Sequence, residues 1–132
     1  MGKFRVFSLS ALALLATWVP LFGHHGTAAS YDQKRTVKVK GIVKEFLWRN
    51  PHSSLYLEGK DESGKVVSYS IEMGSPNTLA KLGYTRNTFK PGDEAIIEAH
   101  PSLASPTSFE SLSSLQVLVN GKPLRSGKSG DN

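Results

Sequence analysis

Apolar and polar residues alternate strongly in the middle of the chain. From Val37 onward, valines are interleaved with lysines, which is the two-residue period of a half-buried strand. Beyond Glu45 the apolar phase moves to Phe46 and Trp48. A phase shift of this kind indicates a bulge, and Gly41 is the residue that the pattern favours for it. The segment therefore predicts a long first strand that curls into a barrel.

Four further strands are predicted, each bounded by turn residues. The polar segment 60–64 predicts a hairpin loop between the second and third strands, and Asn120-Gly121 predicts a tight turn after the fifth. Segments 49–51 and 90–93 each contain a proline and predict turns after the first strand and before the fourth. The predicted strands two to five cover residues 55–57, 66–73, 95–99 and 112–119.

A single short helix is predicted between the third and fourth strands. Ser75 is a suitable N-cap, Pro76 suits the first helical position and Gly83 suits the end. Leu79 and Leu82 give this helix one apolar side. Five short strands with a helix in this place are the element order of an OB-type barrel. The sequence thus predicts an all-β domain with one short helix, either a five-stranded OB-like barrel or a small β-sandwich.

The start of the chain has the pattern of a secretory signal peptide. Lys3 and Arg5 precede an apolar stretch over residues 6–19, which is too short for a stable membrane span. We therefore expect a bacterial periplasmic or secreted protein without a membrane span in its processed chain. The predicted organisation is a signal peptide over 1–23, a flexible arm over 24–35, a single β-barrel domain over 36–124 and a disordered tail over 125–132.

Composition narrows the classes of chemistry. The chain contains no cysteine, which excludes disulfides, thiol catalysis and iron–sulfur clusters. Its formal net charge is +5 and falls to +3 without Lys3 and Arg5, which is too mild to indicate nucleic-acid binding. Loop 59–66 fails as a phosphate-binding P-loop because Val66 stands where a hydroxyl is required, and no Gly-x-Ser-x-Gly elbow occurs. We expect a non-enzymatic protein.

The candidate metal ligands are the four histidines His24, His25, His52 and His100. Ends of different barrel strands can converge and an arm can fold across them. Neutral imidazole nitrogens suit copper, zinc or nickel, and we expect copper, or else zinc. Processing after Gly23 would add the α-amine of His24 as a further ligand, whereas processing after Ala29 would remove both arm histidines. In the competing interpretation the arm histidines are disordered and the other two bond local backbone in turns.

A second candidate surface contains Trp48, Arg49 and Tyr56. These residues suit a module that binds a peptide, a glycan or an envelope protein without any metal. For Trp48 alone, a place in the core is the first interpretation and a binding role is the second. Basic and aromatic residues on an OB face also suit single-stranded nucleic acid, but export argues against that partner. Fold alone does not choose between these functions.

Several short motifs resemble, in their order, a family of small exported bacterial proteins classed only as a domain of unknown function. They are His24-His25, Trp48-Arg49-Asn50-Pro51-His52, Glu72-Met73-Gly74-Ser75-Pro76-Asn77, Lys90-Pro91-Gly92-Asp93 and His100-Pro101. The resemblance covers about residues 24–119. It implies a signal peptide followed by one β-rich domain, with motif histidines at these positions, and it carries no activity. The chain departs from the family pattern at Gly26 and at Ser105-Pro106.

Overall fold

The computed structural model describes residues 30–112 and 115–124. The strands of this part are β1 (Val37–Leu47), β2 (Ser54–Lys60), β3 (Val66–Met73), β4 (Glu94–Pro101), β5 (Ser108–Ser111), β6 (Val117–Val119) and β7 (Lys122–Pro123), with helix α1 (Pro76–Lys81) between β3 and β4. No helix among these residues is long and apolar enough to cross a membrane. The predicted signal peptide, His24, His25 and the predicted tail lie outside the described residues.

Five strands close into a barrel in the order β1-β2-β3-β5-β4, because β4 also pairs with β1. The β3–β5 pair is parallel, whereas the other neighbouring pairs are antiparallel. Strands β6 and β7 extend the sheet from β4 without taking part in the closure. The predicted all-β domain with a five-stranded OB-like barrel and one short helix is confirmed, and closure of the sheet decides for the barrel against the sandwich.

Alternate residues of the strands fill the barrel. In β1 the valines at 39 and 43 are buried with Gly41 between them, while the intervening side chains face outward. In β2, β3 and β4, too, every second residue points into the barrel, and most of these inward residues are completely buried. The innermost apolar side chains are Leu55, Leu57, Ile71, Met73, Leu79 and Ile97.

The bulge in β1 lies at a different residue from the predicted one. Pairing with β2 shifts register between Val43 and Glu45, so Lys44 is the extra residue, and Phe46 beyond it packs against the core. Gly41 instead sits in regular pairing with Ala95. A glycine is required there by close approach, because a Cβ would lie 2.7 Å from the carbonyl oxygen of Glu58.

The fifth barrel strand was also misplaced by the sequence pattern. The prediction of 112–119 is wrong, since the closing strand is β5 and the valines near 118 belong to β6. β5 has only one inward apolar side chain, Phe109, and therefore shows no alternation of apolar residues. Both β5 and β6 lie along the same side of β4, at different heights.

Helix α1 begins and ends as predicted. The hydroxyl of Ser75 accepts a hydrogen bond from the backbone N–H of Thr78 at 3.2 Å, and Pro76 occupies the first helical position. Leu79 is completely buried against the barrel. Gly83 follows the helix with φ of +87°, a left-handed conformation that glycine adopts without strain.

Candidate functional site

A row of polar side chains crosses the outer face of the barrel. Strand pairing sets Glu72 of β3 beside Glu110 of β5, and Glu110 beside His100 of β4. Directly paired residues project from the same face of a sheet. Their sequence neighbours Ile71 and Phe109 point into the core, so the three side chains lie on the outside. His52, from the loop between β1 and β2, contacts Glu72 and extends the row.

Residues 30–35, which we name the strap, lie along this outer face. The backbone N–H of Asp32 donates to the carbonyl of Pro101 at 2.9 Å, and the N–H of Leu103 donates to the carbonyl of Ser30 at 2.9 Å. An isolated antiparallel bridge joins Tyr31 to Ser102. The strap is the described part of the predicted arm, and the end of β4 holds it against the barrel.

The carboxyl group of Glu72 receives two donors at once. The hydroxyl of Tyr31 donates to its Oε2 at 3.0 Å, while Nδ1 of His52 contacts its Oε1. Burial raises the pKa of Tyr31 to about 12, helped by the hydrogen bond to Glu72 and by the charges of Glu72 and Glu110. The hydroxyl of Tyr31 therefore keeps its proton at neutral pH and remains a donor.

Glu110 is a buried carboxyl group at the centre of the row. Its exposed fraction is 0%, and its Oε2 accepts a hydrogen bond from Nε2 of Gln33 in the strap at 2.6 Å. Its Oε1 has no hydrogen-bond partner among the described residues. Nor does any basic side chain of these residues form an ion pair with it. A neutral amide is thus the one described group that bonds this carboxyl.

His100 is held by the backbone of the strap. Its Nδ1 lies 2.8 Å from the carbonyl oxygen of Arg35. A carbonyl oxygen only accepts hydrogen bonds, so Nδ1 must carry a proton and donate. The same argument applies to His52, whose Nδ1 faces the carboxylate of Glu72. In the neutral form of each ring, Nε2 is then the nitrogen with a lone pair.

The two described histidines share one face but do not meet. His52 contacts Glu72 on β3, whereas His100 lies on β4, two strand spacings or roughly 10 Å away. Within residues 30–112 and 115–124, no group of three or more histidine and acidic side chains is close enough to hold a metal ion.

A groove of about 470 Å³ runs along the outer face beside this row. Of the predicted partner-binding residues, Arg49 and Tyr56 line it together with His52. Trp48 is not part of the lining. It is half-buried, packs against the core and meets the ring of Phe46 edge to face, with the ring centres 5.8 Å apart.

Sequence reasoning missed three residues of this site. Tyr31 and Gln33 lie in a polar segment that is too short for alternation to be recognised. Glu110 lies in β5, the strand whose position the sequence pattern did not predict. Glu72, which the sequence analysis named only as part of a motif, bonds both Tyr31 and His52. Only the pairing of β3 with β5 brings these groups together, because they are far apart in the chain.

Comparison with known proteins identifies a family for this chain, but that family has no known function. No curated protein matches the chain significantly. A profile of the family of unknown function DUF6152 matches residues 12–108, more than two thirds of the chain. The expected resemblance to a family without an established activity is confirmed. By this match the chain belongs to the family of unknown function DUF6152.

Proposed function

We propose that this is an exported, non-enzymatic protein that binds a transition metal ion, copper in preference to zinc. The ligands are His24 and His25 from the arm together with Nε2 of His52; His100, two strand spacings or roughly 10 Å from His52, offers its Nε2 as an alternative anchor for the same arm. One observation carries the proposal: both described histidines use Nδ1 for a fixed oxygen acceptor and leave Nε2 for a ligand.

This arrangement is the one that metal-binding histidines adopt. A ligating imidazole usually donates its second N–H to a carboxylate or a backbone carbonyl, which sets the tautomer and the ring orientation. Glu72 has that role for His52, and the carbonyl of Arg35 has it for His100. Imidazole nitrogens bind Cu²⁺ more strongly than the other common divalent metals of the first transition row.

The arm is long enough to bring its histidines to the groove. Tyr31 bonds Glu72, which in turn contacts His52, so the strap starts next to the proposed ligand. Residues 26–30 separate His25 from Tyr31. A fully extended chain spans about 3.4 Å per residue, so His25 has a reach of roughly 20 Å from Tyr31. His52 is therefore the first partner that we propose for the arm, and His100 is the second.

Isothermal titration of Cu²⁺ into the exported protein tests the proposal. Intact mass spectrometry first establishes that the chain starts at His24. We expect His52→Ala to weaken Cu²⁺ binding at least tenfold, and His52→Ala with His100→Ala to weaken it further. Lys44→Ala, an exposed change elsewhere on β1, serves as the control and should leave the affinity unchanged. Equal affinity of the wild type and the double histidine variant would show that the proposed ligands are wrong.

A second function, the binding of a peptide, glycan or envelope protein, is favoured by the position of the groove. OB barrels use the face of strands two and three together with the loop after strand one. The groove lies on that face and is lined by Arg49 and Tyr56. Arg49 forms no ion pair within the described residues and would suit a carboxylate-bearing peptide.

N-acetylated tripeptides with a free carboxylate are the probe for this second function. Titration followed by NMR should shift signals of residues that line the groove, and the shifts should be lost in Arg49→Gln. Lys44→Gln removes an exposed positive charge outside the groove and should leave them intact. If none of these tripeptides gives saturable binding, the peptide-binding alternative is abandoned.

A further inference from the structure

A groove of about 780 Å³ lies at one mouth of the barrel, beside the hairpin that joins β2 and β3. Its walls include the first residues of β1 and β3, the hairpin residues 60–63 and part of segment 101–107 at the β4–β5 connection. None of its lining residues lines the groove next to His52. Pockets of this volume at barrel mouths are common binding sites for small molecules. The groove is therefore a second candidate site, separate from the first.

The barrel is open at this mouth because two strands lack a neighbour there. β3 pairs with β2 from Val66 onward, but its pairing with β5 begins only at Ser70. β1 pairs with β4 from Val37 onward, but its pairing with β2 begins only at Ile42. The inward side chains at the start of both strands therefore remain partly accessible.

The floor of this groove is apolar. Val37, Val67 and Tyr69 point inward with the same period as the core residues of their strands, but each is only half-buried. The ring of Tyr69 meets the ring of Phe109 edge to face, with the ring centres 5.8 Å apart. Removal of half-exposed apolar surface from water is favourable, so the floor favours an apolar group.

The charged side chains of the lining carry a net charge of +2. They are four basic and two acidic residues: Arg35, Lys38, Lys40 and Lys60, with Asp61 and Glu62. Lys38 and Lys40 form ion pairs with glutamates of β4. Oδ1 of Asp61 accepts three hydrogen bonds from groups of its own loop. Arg35 and Lys60 form no ion pair within the described residues, so the charge of the groove favours an anion.

Hydrogen bonds fix the backbone beneath both of these cations. The hydroxyl of Tyr69 donates to the carbonyl oxygen of Lys60 at 3.0 Å, at the hairpin side of the groove. Nδ1 of His100 donates to the carbonyl oxygen of Arg35 at 2.8 Å, at the end of the strap. The two side chains themselves are exposed. Because the backbone is already ordered, a ligand has less ordering to impose when it binds.

We propose that this groove binds a small amphipathic anion of the class of medium-chain fatty acids. The aliphatic chain lies over Val37, Val67 and Tyr69, and Arg35 and Lys60 bind the carboxylate. An apolar floor alone would suit any hydrophobic molecule, and the cations alone would suit any anion, so their combination carries the assignment. The site goes beyond the proposed function, because it needs no metal ion and no residue of the groove beside His52.

Titration with decanoate in metal-free buffer, below the concentration at which it forms micelles, tests the site. We expect saturable binding of one decanoate per chain, with NMR shifts confined to amides that line the groove, such as those of Val67 and Thr107. Decyltrimethylammonium has the same chain and the opposite charge, and it should bind about tenfold more weakly. Equal binding of the two amphiphiles would overturn the choice of an anion. Absence of saturable decanoate binding, or shifts spread over the whole surface, would overturn the site.

Charge variants test the role of the two cations. Arg35→Gln and Lys60→Gln should each weaken decanoate binding about threefold and together about tenfold, which is the modest size of an exposed ion pair. Lys44→Gln makes the same change of charge on an exposed residue outside the groove and should bind decanoate as the wild type does. Unchanged affinity in the double variant would show that these cations do not bind the carboxylate.

A matched pair of neighbouring valines on β3 tests the apolar floor. Val67 lines the groove, whereas Val66 is 58% exposed and lies outside the lining. Threonine has nearly the shape of valine, so both variants should keep the fold, which far-UV circular dichroism checks. We expect Val67→Thr to weaken decanoate binding about threefold and Val66→Thr to leave it unchanged. An equal effect of the two changes would contradict the proposed position of the aliphatic chain.

Discussion

At the scale of single residues, the carboxyl group of Glu110 has the most direct consequence for stability. It is completely buried, one oxygen lacks a partner among the described residues, and the other is bonded by the neutral amide of Gln33. Burial of a charge without an opposite charge is costly, and an unsatisfied charged group costs more than an unsatisfied neutral one. The strap supplies the one described hydrogen bond to this group.

We expect Glu110→Gln to raise the free energy of unfolding by about 1 kcal/mol, because the charge is removed while a side-chain carbonyl remains to accept from Gln33. Urea unfolding measures the change. The control is Glu58→Gln, an exposed residue of β2 paired with Lys44, which should stay within about 0.5 kcal/mol of the wild type. A clear loss of stability in Glu110→Gln would mean that the carboxylate has a favourable partner in solution.

A second prediction at this scale concerns the pH at which the hydroxyl of Tyr31 ionises. Its pKa rises from the ordinary 10.0 to about 12 through burial, the hydrogen bond to Glu72 and the nearby carboxylates. The pKa of Tyr31 is higher in the folded than in the unfolded protein. Tyr31 therefore contributes its full share to the free energy of unfolding below pH 10, and this contribution is lost as the pH rises toward 12. The difference in tyrosinate absorbance between wild type and Tyr31→Phe should show this late ionisation.

In a Glu72→Gln background the pKa of Tyr31 should fall toward the ordinary value without reaching it, because burial remains after the charge is removed. Glu58→Gln again serves as the control and should leave the pKa of Tyr31 in place. Ionisation of Tyr31 at its ordinary pKa in the wild type would contradict the observed contact with Glu72.

At the scale of elements, β1 is the strand that shapes the barrel. Its first half pairs with β4 and its second half with β2, and Ile42 takes part in both pairings. The bulge at Lys44 turns the second half so that Phe46 reaches the core. Alternation predicted both the strand and a shift of phase. Alternation could not locate the bulge, because a glycine within a strand occurs either at a bulge or where another backbone comes very close. Gly41 belongs to the second case, since the backbone of Glu58 lies next to it.

Gly41→Ala tests that interpretation. The added Cβ would lie 2.7 Å from the carbonyl oxygen of Glu58 and 3.0 Å from Cβ of Leu57, and neither atom is the end of a flexible side chain. We expect a loss of about 2 kcal/mol in the free energy of unfolding, in the range of overpacked cores. Urea unfolding is the measurement, and Lys40→Ala on the exposed face of the same strand is the control. A Gly41→Ala protein as stable as that control would show that the two strands can separate locally.

At the scale of the whole molecule, one core joins all five barrel strands, α1 and β6. Closure depends on the parallel β3–β5 pair and on β1–β4, both of which connect residues far apart in the chain. No disulfide supports this closure. Packing of the interior therefore holds the barrel together, and loss of one pairing should open the whole sheet.

Cooperative unfolding is the expected result. Without the predicted signal peptide, Trp48 is the only tryptophan, and it reports on the barrel end that contains Phe46 and Phe89. Its fluorescence and the far-UV circular dichroism should give one coincident transition in urea, as in other small single domains. A fluorescence transition at clearly lower urea would show that this end of the barrel opens before the rest.

The sequence by itself determined those features that depend on neighbouring residues. Alternation in β1 and β3, the Ser75-Pro76 start of α1 and the Asn120-Gly121 turn follow from local backbone preference and the two-residue period, and all are present. The element order was enough to indicate an OB-like barrel. Family membership, too, follows from the sequence alone, because the family profile matches residues 12–108.

The tertiary structure alone decided which strand closes the barrel and which side chains form the polar row. β5 has a single inward apolar residue, so its position is set by its backbone pairing with the edges of β3 and β4 and not by a pattern of apolar side chains. Glu72 and Glu110, 38 residues apart in sequence, become neighbours only through that pairing, and Tyr31 reaches Glu72 only because the strap docks on β4. Such contacts depend on long-range closure, which no local pattern of residues encodes.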